Sequence, residues 1–269
     1  MTEVYIDDVA QAFKNAGAKD GDTVIFHSSL KSMGHVNGGA LTVIDGVLKA
    51  VGSSGTAAIP TLWWNGKGKK AEDFDLINST AYNGAIPEAM RQDKRSLRSY
   101  HFSHSISAIG ARAKELTAIH GGGKLYPDPW CETAFSELSP WSKLYEWDAL
   151  YAFIGCSMLV CTMKHWVEGH FIQENLELLP LELRLPYRKK LHYHRNYTVW
   201  SNFDIEAMQE ILAQEGLVAE TKLGDAKLIA IRTRAFVKRA FELLYADPEK
   251  WFTPEFYAWY CEVRKIAGK

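Results

Sequence analysis

The order of hydrophobic patterns in the N-terminal part of the chain predicts an α/β fold. Two observations carry that prediction. An alternating run, Thr23-Val24-Ile25-Phe26-His27, is followed by a helical apolar stripe, and the stripe by a second buried run over 56–62. Strand, helix and strand in that order imply a parallel pair joined by a crossover.

Each element has its own local reason. Residues 9–16 form a short amphipathic helix, and the Gly21-Asp22 turn launches the first strand. Gly38-Gly39 precedes a helix over 42–51, in which Val43, Ile44, Val47, Leu48 and Val51 share one face. Glycines at 52 and 55 stop it, and the next strand runs out at Pro60-Thr61. Residues 63–83 are mostly polar, with Gly66, Gly68, Lys67, Lys69 and Lys70, and read as a long surface excursion. Strands are expected at 105–110 and 149–154, and a helix over about 161–176. From 186 to 203 an aromatic, alternating pattern predicts extended strands. Helices at 205–215 and 234–246 then flank a strand at 227–232. No internal repeat or linker divides the chain. The expectation is therefore one domain over 1–269, with irregular insertions near 63–83 and 120–136.

Charge is balanced, with 31 Lys+Arg against 32 Asp+Glu in 269 residues. That excludes an obvious basic face for nucleic acid or an anionic membrane. The N-terminal MTEVYIDD has no secretory pattern, and no apolar run reaches the roughly 18 residues that span a bilayer. Cys131, Cys156, Cys161 and Cys261 form no CxxC pair. Reduced thiols in a cytoplasmic protein are expected, with no metal site. Oligomeric state is not legible.

Three stretches could carry chemistry. The loop 27–34, HSSLKSMG, lies beyond a strand end and before a helix start, where ligands collect in open α/β sheets. It equally suits a polar connection holding nothing. The cluster 98–105, RSYHFSHS, with Arg95 upstream, could hold an anion or be a solvated loop. In 162–168, TMKHWVE, His165 and Glu168 sit three apart, on one helical face. A carboxylate on one imidazole nitrogen fixes the tautomer and raises the basicity of the other, as a general base requires. An ordinary surface His–Glu pair has the same spacing. His192 and His194 share a strand face but lack a third metal ligand nearby. Ser28 or Ser29 with His165 lacks the nucleophile elbow, and Cys161 is a candidate nucleophile or a buried small hydrophobe.

Taken together, HSSLKSMGHVNGG (27–39), TVIDGVLKAVGSSGTAAIPT (42–61), NGAIPEAMR (83–91), RSYHFSHSISAIG (98–110), SPWSKLYEWDA (139–149) and CTMKHWVEGH (161–170) resemble the aminoglycoside 3-N-acetyltransferase family, in the family's order. The resemblance implies a three-layer sandwich around a central mixed sheet and an acetyl-CoA-dependent N-acetyltransferase. It implies that His27, Ser28, Ser29, Leu30, Lys31, Gly34, Val36, Gly38 and Gly39 hold the pantetheine and pyrophosphate arm. Ser99, His101, Ser103 and Ser105 would help to bind the cofactor. The Thr-x-x-His-x-x-Glu pattern falls on Thr162, His165 and Glu168, with His165 as the base and Glu168 its orienting partner. Two departures stand out: His101-Phe102 where His-Pro is common, and poor matching over 120–136 and after 175.

Those departures bear on the acceptor. A polycationic aminoglycoside calls for a pocket rich in Asp and Glu. The unmatched stretches instead mix aromatic and basic residues, among them Trp63, Trp64, Tyr187, His192 and His194. That suits a nucleotide-linked amino sugar, with base stacking and phosphate pairing. An aminoglycoside acceptor and a non-catalytic CoA- or nucleotide-binding protein remain open.

Overall fold

The computed structural model describes residues 2–193 and 199–269. The chain begins with strand β1 (Glu3–Val4) and helix α1 (Ile6–Asn15). This helix starts ahead of its apolar stripe because Asp7 and Asp8 occupy its first turn. Asp8 also accepts the Tyr5 N–H at 2.8 Å. Strands β2 (Thr23–Ser28) and β3 (His35–Val36), helix α2 (Ala40–Val51) and strand β4 (Thr56–Pro60) follow. β2 and β4 are parallel, with Val24 opposite Ala57, and α2 is the crossover between them. Next come α3 (Ala85–Gln92), β5 (Leu97–Arg98), β6 (Ile106–Gly110), α4 (Ala113–Thr117), α5 (Pro140–Glu146) and β7 (Leu150–Ile154). The C-terminal part contributes α6 (Met163–Glu177), α7 (Leu181–Lys189), α8 (Ile205–Gln214), β8 (Ala219–Leu223) and β9 (Ala226–Arg232). It ends with α9 (Thr233–Ala246), α10 (Pro248–Trp251) and α11 (Pro254–Ile266).

Seven strands form one sheet in the order β5-β6-β4-β2-β7-β9-β8. β4, β2 and β7 are parallel, while β6 and β9 run against them, so the sheet is mixed. Its two faces are separate cores. Val24, Phe26, Ala57, Ile59, Ala152 and Ile154 pack with α1, α2 and α3. Ile25, Ala58, Tyr151, Phe153 and Ile231 pack with α5, α6, α9 and α11. This is the three-layer arrangement that the resemblance implied. Alternation along β2 delivers His27, in step with Ile25, to the second face at the strand end.

The segment 186–203 differs from its expectation. Residues up to Lys189 belong to α7, and the described remainder holds a single bridge, His192 to Val199. The aromatic, alternating pattern from 186 onward is compatible with a strand. Packing against α11 decides otherwise: Trp259 Nε1 donates to the Tyr187 carbonyl at 3.1 Å, and the Tyr187 hydroxyl donates to Glu262. Helical structure here tolerates Pro186. The 63–83 excursion is also less superficial than its composition, since Trp63 and Phe74 are buried against each other. Among the described residues, no helix is long and apolar enough to cross a membrane.

Candidate active site

The ends of β2 and β7 meet the start of α6. Two features hold that junction. Ser29 N–H donates to the Ile154 carbonyl at 2.8 Å, fixing the loop after β2 to the end of β7. Gly155 then turns with φ +63°, and a Cβ there would lie 1.7 Å from Ser32 Oγ. Only glycine permits so close an approach.

Over this junction opens a cavity of about 980 Å³. Its polar wall is built from His27, Ser28, Ser103, His104, Thr162 and His165, and its aromatic wall from Trp64, Tyr82, Trp130, Tyr193 and Phe203. His165 lies in the first turn of α6. Its Nδ1 donates to Glu168 Oε2 at 2.8 Å, which leaves Nε2 for the cavity. Glu168 is only 1% exposed. Trp200 Nε1 donates to the same oxygen at 3.2 Å, and Lys164 Nζ lies 3.2 Å from Oε1. Burial on its own would raise the Glu168 carboxyl, but His165 and Lys164 beside it hold it below the ordinary value.

A second network lies at the strand ends. His27 Nε2 is 2.9 Å from the Tyr151 hydroxyl and 3.3 Å from Thr162 Oγ1. Burial brings the His27 imidazole down to about 3, so it is neutral at physiological pH. Trp130 covers His165 edge-on, with ring centroids 4.8 Å apart. It is held there by Asp128, whose Oδ1 accepts the N–H groups of Trp130 at 2.9 Å and Cys131 at 2.7 Å. Asp128 Oδ2 is buried without a partner, and burial pushes the carboxyl up to about 6.

That carboxyl gives a prediction with a definite sign. The fold favours the protonated form, so the cost of ionising Asp128 is absent at low pH. It grows as pH rises from the ordinary value of about 3.9 through about 6. Asp128→Asn keeps the Oδ1 acceptor and removes the charge. Its Tm relative to wild type should therefore rise between pH 4 and pH 7, as read by thermal unfolding at each pH. A constant difference would remove the buried carboxylate from the account.

The expected site residues divide into those the fold gathers and those it does not. His27, Ser28, Ser103, Thr162, His165 and Trp64 line the cavity, with Glu168 directly behind His165. Ser29, Leu30, Lys31, Gly34, Val36, Gly38 and Gly39 lead away from it through a 3₁₀ turn and β3 to the start of α2. Ser99 and Ser105 are fully buried, bonding His120 at 2.8 Å and the Thr61 carbonyl at 2.6 Å. His101 Nε2 is paired with Thr133 Oγ1 at 3.1 Å. The anion-holding reading of the arginines is corrected. Arg98 donates to the carbonyls of Thr61 at 2.8 Å and Ser79 at 2.6 Å, and Arg95 is paired with Asp45 and Asp93.

Of the acceptor residues, Trp63 is buried against Phe74, Tyr187 packs against α11, and exposed His192 bridges to Val199. None of these three lines the cavity. His194 lies outside the described residues. Sequence reasoning missed His104, Tyr151, Lys164 and Trp200 as site residues. His104 sat in a flagged cluster, but Tyr151 reads as core, and Trp200 reaches Glu168 from 32 residues away. Among the described residues, no group of three or more His, Cys, Asp or Glu is placed to hold a metal ion.

Comparison with known proteins agrees with this architecture. The family model described as aminoglycoside 3-N-acetyltransferase matches residues 25–245. Aminoglycoside N(3)-acetyltransferase IX of Micromonospora chalcea is 31% identical over 170 residues, covering 57% of this chain and 57% of that protein. The chain thus matches little more than half the length of that curated relative. The apoenzyme of aminoglycoside acetyltransferase AAC(3)-IVa superposes with TM-score 0.70 at 20% identity, covering 98% of both chains. AAC-IIIb in binary complex with CoASH gives TM-score 0.64 at 19% identity, covering 94% of this chain and 99% of that one. With the fold shared over nearly the whole chain and the family model matching 25–245, this chain belongs to the aminoglycoside 3-N-acetyltransferase family.

Proposed function

We propose that the protein transfers the acetyl group of acetyl-CoA to a primary amine of an aminoglycoside-type amino sugar, with His165 as general base. The observation that carries this reading is the pair His165 Nδ1–Glu168 Oε2, at 2.8 Å, with the carboxylate buried and the imidazole at the wall of a large cavity. The residues present suit a thioester cosubstrate. Ser28 Oγ is a buried hydroxyl without a partner, and the neutral His27 and Thr162 offer uncharged polar groups beside it. Membership of the family and the CoASH-bound neighbour support the same cosubstrate.

An amine is largely protonated at neutral pH, so a proton must leave before or during attack. Nε2 of His165 takes it, and Glu168 steadies the resulting imidazolium. Transfer is direct, without an acetyl-cysteine. Burial pushes the Cys161 thiol up to about 12 and Cys156 to about 11, so neither supplies thiolate at neutral pH. Cys161→Ala should therefore leave turnover largely intact, read as thiol release from acetyl-CoA. Near-complete loss would sink direct transfer.

One observation favours a second acceptor, a nucleotide-linked amino sugar. Asp204 is the single carboxylate among the described cavity-lining residues, and it is engaged in capping α8. Residues 194–198, HRNYT, contain no acid. A polycation finds little countercharge there, while five aromatic rings offer stacking. Thiol release measured against aminoglycosides and nucleotide-linked amino sugars decides the acceptor. Turnover with aminoglycosides alone excludes the second reading, and no turnover with any amine leaves a CoA-binding protein.

A further inference from the structure

His27 is held in a way its neighbours fix atom by atom. The backbone N–H of Thr162 donates to the Tyr151 hydroxyl at 3.0 Å. With one lone pair so engaged, the Tyr151 hydroxyl has its own proton to give to His27 Nε2, 2.9 Å away. Cys161 and the Thr162 hydroxyl also lie beside it, and a neutral imidazole nitrogen is a better acceptor than either. An Nε2 that accepts this proton leaves the single N–H of the neutral imidazole on Nδ1.

Nδ1 has no partner among the described residues and is not among the atoms sealed from solvent, while His27 lines the cavity. Phe153 stacks on the ring at 5.8 Å between centroids, nearly parallel, so its orientation is set. The ring also touches Thr162, one turn ahead of His165, roughly 4.5 Å of helix rise away. His27 and His165 thus line the same cavity, one able to donate and the other to accept a proton. We propose that His27, protonated on Nδ1, is a catalytic residue that donates a hydrogen bond to the carbonyl oxygen of the acetyl thioester. This rests on the acetyl-transfer reading above.

The electron bookkeeping closes without further reagents. The amine lone pair forms the C–N bond, and the C=O π pair moves onto oxygen, where the Nδ1–H of His27 meets the growing charge. The ammonium proton passes to His165 Nε2. As C=O re-forms, the C–S bond breaks and its pair leaves on the CoA sulfur. His27 keeps its proton throughout.

Two substitutions separate donation from anchoring. In His27→Asn the side-chain amide overlays Nδ1, whereas in His27→Gln it overlays Nε2. The glutamine variant should lose about 10²–10³-fold in kcat, as removal of an oxyanion donor does. The asparagine variant should retain clearly more, and KM for acetyl-CoA should change little in either. Free CoA lacks the acetyl carbonyl, so its Kd by calorimetry should stay at the wild-type value in both; this also reports on folding. Unchanged kcat in the glutamine variant overturns the proposal. So does loss of CoA affinity in step with rate, which would make His27 an anchor. An independent check is the imidazole ¹⁵N spectrum of the wild-type protein at neutral pH. A proton on Nε2 overturns the assignment whatever the variants do. Absence of wild-type turnover with every amine would instead refute the acetyl-transfer reading, with the ¹⁵N spectrum still judging the tautomer.

Discussion

Replacing His165 with alanine is expected to lower kcat by about 10²–10⁴-fold, the range over which a positioned general base contributes. CoA binding should be unchanged, because the imidazole takes a proton from the acceptor and does not hold the nucleotide. The size of the effect follows from the surroundings. Nδ1 is committed to Glu168 at 2.8 Å, which leaves Nε2 as the basic atom toward the cavity. Trp130 covers one side of the ring. Steady-state kinetics with acetyl-CoA and a productive acceptor, together with the Kd of CoA, check this. An unchanged kcat would remove His165 from the reaction.

Replacing Glu168 has the other large expected effect, and it separates into stability and rate. The carboxylate is buried with Lys164 Nζ at 3.2 Å, the His165 ring at 2.8 Å and the Trp200 indole at 3.2 Å. Glu168→Ala leaves the Lys164 ammonium, mostly buried, without its counter-ion. The cost of breaking such a pair is about 3–5 kcal/mol, read as a shift of the denaturation midpoint. Glu168→Gln keeps the volume, so it should fold better. It should still lose up to about 10⁴-fold in kcat, since an amide can donate to Nδ1 and hold the wrong tautomer.

The pH dependence has a definite sign. The folded carboxyl lies below its unfolded value, so its stabilisation is full above the ordinary glutamate range. It is lost as pH falls through the folded value. The stability gap between wild type and Glu168→Gln should therefore narrow in acid. Equal rates for Glu168→Gln and wild type would mean that the carboxylate does not orient the base.

The central part of the fold was legible because its signals are local. The stripe of Val43, Ile44, Val47 and Val51 makes a helix wherever it lies, and the runs at 23–27 and 56–62 can be buried only as strands on either side of it. The three-residue spacing of His165 and Glu168 also survives intact, since a helix guarantees their approach. Residues 186–203 failed for the opposite reason. Their alternation is compatible with either element, and the choice belongs to a helix more than 60 residues downstream, through Trp259 and Glu262. Arg98 misled likewise: its donors were free to meet an anion until folding brought the Thr61 and Ser79 carbonyls to them.

From its sequence alone, this protein has an α/β core, a His–Glu pair on one helical face and a family pattern that names the chemistry. All three rest on residues close in the chain, where backbone geometry leaves little choice. Only the tertiary structure decides which groups line the cavity and which stand behind the residues that do. Trp130 comes from an unmatched loop, Trp200 from beyond α7 and Tyr151 from an apolar strand. It also decides protonation. The neutral state of His27 and the raised carboxyl of Asp128 are set by burial and by partners brought together from distant parts of the chain. Hydrogen bonds and dielectric surroundings belong to the packed molecule, and no window of sequence contains them.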